Sequence, residues 1–293
     1  MEDWKRIPER YRIPLPADEG GTLSEFYYAD EDICRRALVY LPRGYAEAEN
    51  EDRRYPVFYL MHGGGGSEDD FFGTTAAKEP LKHMLDRMIA EGVLSPLIVV
   101  TPTFYRPVEG DDPARVHAGD AKALTESFWR ELGTSLIPSV DAAYRTKADR
   151  NHRAFGGFSM GAEATWSVLW RGGQSVRYYL PMSGDFWAVS VKGGADRTAE
   201  TCDRLIKGIR ENGLCPEDYE VFAATGTNDI AYEAMKPMVE ELMGRAPWFS
   251  DADKGGNLTW RVSPGWHSGD WCLDYMMMGL PKFFSPQKGD GQN

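Results

Sequence analysis

Gly157-Phe158-Ser159-Met160-Gly161 has the form G-x-S-x-G, and it falls where an apolar run, Ala154 to Phe158, gives way to a helical pattern starting at Met160. A serine on so sharp a strand-to-helix turn needs glycines nearby, because side chains there would collide with the adjoining strand and helix. The turn pushes the Ser159 hydroxyl out at the carboxyl edge of a sheet, where open α/β folds bind their ligands. The chemistry this permits is nucleophilic attack on a carbonyl. A neutral hydroxyl attacks poorly, so a base titrating near neutrality must stand beside it, and imidazole is the natural supplier.

The chain has five histidines. His83 falls inside a helical pattern and His117 in a polar loop, while His62 and His152 precede the serine. A serine on this kind of turn takes its acid and then its base from later in the chain. His267, in Pro264-Gly265-Trp266-His267 directly after the last strand pattern, is therefore the expected base; a histidine that merely caps the final helix is the competing reading. Asp229, in Gly226-Thr227-Asn228-Asp229, follows a strand between the two and is the expected acid. Asp185, in Ser183-Gly184-Asp185-Phe186-Trp187, also follows a strand, but an earlier one, so it is the rival and otherwise a pocket residue. Attack on a carbonyl puts negative charge on its oxygen, which preorganised N–H groups stabilise. Met160, at the head of the helix after the serine, and Gly64, in the His62-Gly63-Gly64-Gly65-Gly66 run, are the expected donors. Trp187, Trp266, Phe104 and Tyr105 each follow a strand end near the same edge and would wall a pocket for an aromatic or sugar-bearing substrate, with core packing the alternative for each.

These residues need a scaffold, and the patterning describes one. Leu23 to Tyr28 and Arg36 to Leu41 alternate around an acidic turn at Asp30 to Asp32, which predicts an antiparallel hairpin at a sheet edge. Pro56 to Met61 and Leu97 to Thr101 are short, continuously apolar runs suited to strands buried on both faces. Further strands are expected at Ala154 to Phe158, Arg177 to Met182, Tyr219 to Thr225 and Leu258 to Val262. Helices are expected over Leu81 to Ile89, Leu124 to Tyr144, Met160 to Trp170, Ala199 to Asn212, Glu233 to Met243 and Trp271 to Phe284. Strand and helix alternate, which means βαβ units and a mostly parallel sheet with helices on both faces. The reading divides the chain into an N-terminal extension (1–21), one α/β domain (22–285) and a polar, Gly-rich tail (286–293); the stretch from Glu109 to Asp120 is too short to serve as a linker between separate domains.

Composition removes several alternatives. At 42% hydrophobic and 12% aromatic, with nine tryptophans, the chain has material for a sizeable core. Its net charge of -12 and its scattered basic residues argue against nucleic acid as a partner. Cys34, Cys202, Cys215 and Cys272 show no C-x-x-C pair and no zinc-like spacing to histidine, so neither a metal nor any cofactor is expected, and free thiols are favoured over bridges. No run approaches a membrane span and no export signal opens the chain, which suits a cytoplasmic protein or a secreted one whose leader has been removed. Oligomeric state is left open.

Taken together, HGGGG at His62, PLIVVTPTF at Pro96 to Phe104, GGFSMG at Gly156 to Gly161, PMSGDFW at Pro181 to Trp187 and FAATGTNDIAY at Phe222 to Tyr232 make the region from about Tyr55 to Phe284 resemble the feruloyl esterase domains attached to bacterial xylanases. Those domains group with acetyl-xylan esterases and other esterase-D-like enzymes. The resemblance implies the α/β-hydrolase fold, a cofactor-free serine esterase, a role in xylan degradation, and a triad on Ser159, Asp229 and His267, where strand order also places it. Ala162 stands where such domains usually carry a second glycine, and Ser268-Gly269 stand where xylanase-attached relatives tend to carry aromatics. No carbohydrate-binding module accompanies the domain, so a small soluble ester is a better expectation than polymeric xylan. The implied substrate is a hydroxycinnamoyl ester of a carbohydrate. Acetyl-carbohydrate esters, siderophore or thiol esters, acyl transfer to an alcohol and an inactive relative that only binds ligand stay open as alternatives.

Overall fold

The computed structural model describes residues 4–73, 80–106 and 120–286; His117, most of the Glu109 to Asp120 stretch and the last seven residues lie outside them. Eight strands form one sheet: β1 (Thr22–Asp30), β2 (Ile33–Leu41), β3 (Val57–Met61), β4 (Ile98–Thr101), β5 (Arg153–Phe158), β6 (Tyr178–Met182), β7 (Glu220–Asn228) and β8 (Leu258–Trp266). Their order across the sheet is β1-β2-β4-β3-β5-β6-β7-β8. β2 alone points against the other strands, so the expected hairpin sits at one edge of an otherwise parallel sheet. This is the α/β-hydrolase fold. After β3 the chain steps to one side and after β5 to the other, so a crevice opens between their carboxyl ends.

The helices are α1 (Pro80–Ala90), α2 (Ala121–Glu131), α3 (Ile137–Ala143), α4 (Met160–Gly172), α5 (Gly193–Asp196), α6 (Thr198–Glu211), α7 (Tyr232–Met243) and α8 (Gly269–Phe283). The period-2 alternation of the strands feeds two cores. Val57, Tyr59, Met61, Ile98, Val100, Val221 and Ala223 face the layer of α2, α3, α4, α6 and α7. Phe58, Leu60, Val99, Phe222 and Ala224 face α1 and α8. With both faces covered, the strands read as unbroken apolar runs.

Two expectations are refined. The single helix from Leu124 to Tyr144 is α2 and α3 joined through a π-helical turn at Leu132–Leu136. Pro138 lacks an N–H and its ring needs room in the preceding turn, which a wider turn supplies. β7 and β8 also run further than the pattern predicts, to Asn228 and Trp266. Gly226 and Gly265 look like strand breakers, but a Cβ on Gly226 would lie 2.1 Å from the Gly265 carbonyl oxygen. They are places where two backbones approach closely.

The segment from Trp4 to Gly21 is fastened to α1 and α8. The Ile7 N–H donates to Asp274 Oδ1 at 2.8 Å and Arg6 Nε lies 3.0 Å from Asp274 Oδ2. Arg10 and the Tyr11 hydroxyl both reach Glu91, and the Gly21 N–H donates to Asp86. The side chain of Asp274 is fully buried. Replacing it with alanine leaves a buried N–H unsatisfied, so Asp274→Ala is expected to lower the unfolding free energy by about 2 kcal/mol in urea titrations. An unchanged midpoint would show that the fastening carries no weight.

Candidate active site

Ser159 stands between β5 and α4 with φ +56° and ψ -119°, a backbone conformation that costs energy for any residue with a side chain. Close approaches hold it there. A Cβ on Gly157 would sit 2.5 Å from the Gly161 carbonyl carbon, one on Gly161 2.4 Å from the Met61 carbonyl oxygen, and one on Gly184 2.6 Å from the Ser159 carbonyl oxygen. The Ser159 N–H donates to the Met182 carbonyl at 2.9 Å, and its own carbonyl accepts from Ala162 and Glu163. The hydroxyl thereby faces the crevice between β3 and β5.

The two lengthened strands deliver its partners. His267 follows β8, and its Nε2 lies 2.9 Å from Ser159 Oγ. Asp229 follows β7, and its Oδ1 lies 2.7 Å from His267 Nδ1. A carboxylate accepts, so Nδ1 carries the proton and Nε2 offers its lone pair to the hydroxyl. The Ala231 N–H also donates to Asp229 Oδ1, at 2.8 Å, and the carboxylate has no solvent exposure. The Phe158 ring lies 4.5 Å from the imidazole, centroid to centroid, and limits its movement. The rival, Asp185, is committed elsewhere: Oδ1 accepts from the Trp187 indole N–H at 2.9 Å and Oδ2 from the Gly194 N–H at 2.8 Å.

The glycine run after β3 meets the head of α4, since a Cβ on Gly64 would lie 2.8 Å from Met160 Sδ. Within the run, the Gly65 N–H donates to the Tyr105 hydroxyl at 2.9 Å and the Gly66 N–H to the Gly63 carbonyl. The Gly64 N–H donates to no group among the described residues. His62, 1% exposed, braces the loop from behind, with Nδ1 2.6 Å from the Gly63 carbonyl oxygen and Nε2 2.7 Å from Thr103 Oγ1. Phe104 and Tyr105 are buried and pack on the His62 ring at 4.6 and 5.5 Å, so they support this loop and present no open aromatic wall. Trp187 is half-buried above Asp185, and Trp266 is 60% exposed, edge-on to Trp271. Ser268, where aromatics were expected in relatives, caps α8 through the Asp270 N–H.

Three residues of the site escaped the sequence reading. Arg35 is buried in β2 and grips the loop after β4 by two carbonyls, Tyr105 and Thr103, each at 2.5 Å. Its charge is met by Glu131 at 2.8 Å, which also accepts the Tyr28 hydroxyl. Consecutive arginines at 35 and 36 were the available signal, because in a strand one of them must face inward. Glu163, one turn into α4, is buried beside Asp185, and burial followed by the charge of Asp185 pushes its carboxyl well above the usual range. Ile230, 69% exposed and adjacent to Asp229, adds apolar surface at the rim.

Comparison with known proteins gives a consistent picture. A family model described as a putative esterase matches residues 34–197. The chain is 34% identical over 295 aligned positions to endo-1,4-beta-xylanase Y of Acetivibrio thermocellus, covering 96% of this chain and 24% of that protein. It is also 34% identical, over 54% of its length, to 21% of an endo-1,4-beta-xylanase/feruloyl esterase from Xylanibacter ruminicola. The chain thus spans about a quarter of the length of these curated relatives. A serine-to-alanine mutant of the feruloyl esterase module from Clostridium thermocellum, complexed with sinapinate, superposes with a TM-score of 0.80 at 31% identity, over 99% of this chain and 96% of that one. A ferulic acid esterase from Anaeromyces mucronatus, in complex with ferulic acid, shares the fold with a TM-score of 0.64 at 19% identity and 97% coverage of both chains. Among the described residues, no group of three or more His, Cys, Asp or Glu is placed to hold a metal, and no helix is long and apolar enough to cross a membrane.

Two outcomes follow from the buried groups. Arg35→Met keeps bulk but releases Thr103 and Tyr105, so kcat for a soluble ester is expected to fall about 10- to 100-fold with KM little changed; unaltered kcat would free the loop from dependence on Arg35. Glu163 is held protonated in the folded chain but ionises at the ordinary carboxylate pKa once unfolded, so its contribution to stability declines as pH rises above that value. Glu163→Gln removes the decline. Chemical denaturation should show the variant gaining by about 1 kcal/mol or more on wild type between pH 5 and pH 8, and parallel curves would mean that Glu163 is ionised in the fold.

Proposed function

The chain belongs to the putative esterase family, and from that premise we propose that it is a serine carboxylic ester hydrolase acting on hydroxycinnamoyl esters of carbohydrates, with Ser159, His267 and Asp229 as its triad. The observation that carries the reading is the unbroken relay of 2.9 and 2.7 Å from hydroxyl to imidazole to buried carboxylate. His267 Nε2 takes the Ser159 proton as Oγ bonds to the carbonyl carbon, and Asp229 stabilises the imidazolium that results. Charge gathers on the carbonyl oxygen, which accepts from the Met160 and Gly64 N–H groups. The imidazolium then protonates the sugar's ester oxygen as its bond to the carbonyl carbon breaks, and the sugar leaves as an alcohol. Water, deprotonated by the same imidazole, attacks the acyl-serine and frees the acid and Ser159.

The choice of acyl group is supported by the relatives, whose names include feruloyl esterase and whose structures hold sinapinate and ferulic acid. It is also supported by Trp187, whose indole is fixed in orientation by Asp185, and by the exposed faces of Trp266 and Ile230. A polar cap at Ser268 makes the rim beyond His267 less aromatic, which suits a short soluble ester better than a long polymer.

Wild type is expected to hydrolyse p-nitrophenyl acetate, and Ser159→Ala to lose at least about a thousandfold in rate. Equal rates would end the assignment of this site. Methyl ferulate should be cleaved faster than methyl butyrate, with the gap narrowed by Trp187→Ala; a gap that stays the same would leave Trp187 as packing only.

A further inference from the structure

A cleft of about 370 Å³ lies at the other end of the sheet. Pro56 leads into β3, Pro96 stands two residues before β4, His152 leads into β5 and Tyr178 begins β6, and all four line it. It therefore opens at the amino ends of the parallel strands, with Ser159 at their carboxyl ends. Its volume falls in the roughly 300–1,000 Å³ range of small-molecule sites.

The walls pair cations with aromatic rings. Arg53, Arg54 and Lys147 line the cleft, and among the described residues no carboxylate does. With 45 acidic residues against 33 basic ones, a cation in this chain usually has an acid at hand. Here, among the described residues, Arg53, Arg54 and Lys147 form no ion pair. The Arg54 guanidinium reaches only the Thr146 carbonyl, at 3.3 Å, and that of Arg53 lies 5.5 Å from the Tyr55 ring centroid. Asp149, two residues beyond Lys147, is held by His152 Nδ1 at 2.7 Å. Arg54 and Lys147 are exposed and Arg53 is half-buried, so an anion entering the cleft would meet three cations that no acid among the described residues pairs with. The apolar wall is flat: Tyr178, half-buried, stacks on Phe283 at 5.0 Å and meets Phe284 edge-on at 5.7 Å.

We propose that this cleft binds a small aromatic carboxylate, its carboxylate between Arg53, Arg54 and Lys147 and its ring against Tyr178. A guanidinium fork matches the two oxygens of a carboxylate, and a ring of that size gains from lying on another. Arg53 and Arg54 lie outside the catalytic machinery, so the proposal stands or falls apart from the chemistry at Ser159. If the acid released at the other end of the sheet is of this class, the cleft would sense product.

Equilibrium dialysis of the whole chain against 4-hydroxycinnamate tests it. Wild type is expected to bind one equivalent more than the Arg53→Ala/Arg54→Ala double variant. Lys147→Ala should weaken that equivalent about tenfold, and raising salt tenfold should weaken it severalfold. Inorganic phosphate at matched concentration should leave it in place, because phosphate has no ring to stack. The double variant should keep the wild-type melting temperature and rate on p-nitrophenyl acetate, which confirms that its fold is intact. Equal binding by wild type and the double variant would overturn the site, and displacement by phosphate would overturn the aromatic class of its ligand.

Discussion

The site depends on how closely the backbone of β3 can pass the first turn of α4. Gly161 lets the Met61 and His62 carbonyls approach to where a Cβ would be, and Gly157 lets the turn fold back on itself. Without those contacts nothing would hold Ser159 at φ +56°, a conformation worth roughly 1–3 kcal/mol of strain. The same approach sets the glycine loop after β3 against Met160, so one packing event places the hydroxyl and brings together the two amides proposed to receive the oxyanion. Strain and preorganisation are here two aspects of one contact. A substitution with even a methyl group at Gly161 would have to push β3 and α4 apart, and every distance around Ser159 would change with them.

Much of this is legible in the sequence, because the responsible residues are local along the chain. The G-x-S-x-G turn, the glycine run and the order of strands need only near neighbours, and their periodicities switch where the structure does. The ends of β7 and β8 are less legible: Gly226 and Gly265 signal a break when each strand is read alone, and their close approach belongs to the pair. Phe104 and Tyr105 are legible as aromatics near the right edge, but their burial against His62 depends on a ring some 40 residues away. Arg35 is the extreme case. Its partners, Thr103, Tyr105 and Glu131, are between 68 and 96 residues distant, and no local pattern connects them.

The buried polar groups divide into two kinds with different consequences. Arg35 is satisfied at both ends, by Glu131 on one side and by two carbonyls on the other, so its burial fixes the relative position of β2, α2 and the loop behind the glycine run. Glu163 is not. Its Oε2 has no hydrogen-bond partner among the described residues, and it stays buried by holding its proton. The nearby Asp185 is raised too, chiefly by burial, but the Gly194 and Trp187 N–H groups pull against that shift. With two N–H donors, Asp185 is the better placed of the pair to carry charge, and a neutral Glu163 avoids the repulsion that two charges would create.

The orientation of Trp187 therefore rests on which of the two acids is ionised. Asp185 accepts from the indole N–H and from Gly194 most strongly while both of its oxygens are free of a proton. If Glu163 ionised, Asp185 would gain a like charge across a dry interior, and the cheapest relief would be for Asp185 to take up a proton and loosen its hold on one donor. A neutral Glu163 favours the charged Asp185 that holds both donors most firmly. A residue that touches neither the hydroxyl nor the imidazole thus bears on how the aromatic wall beside them is set.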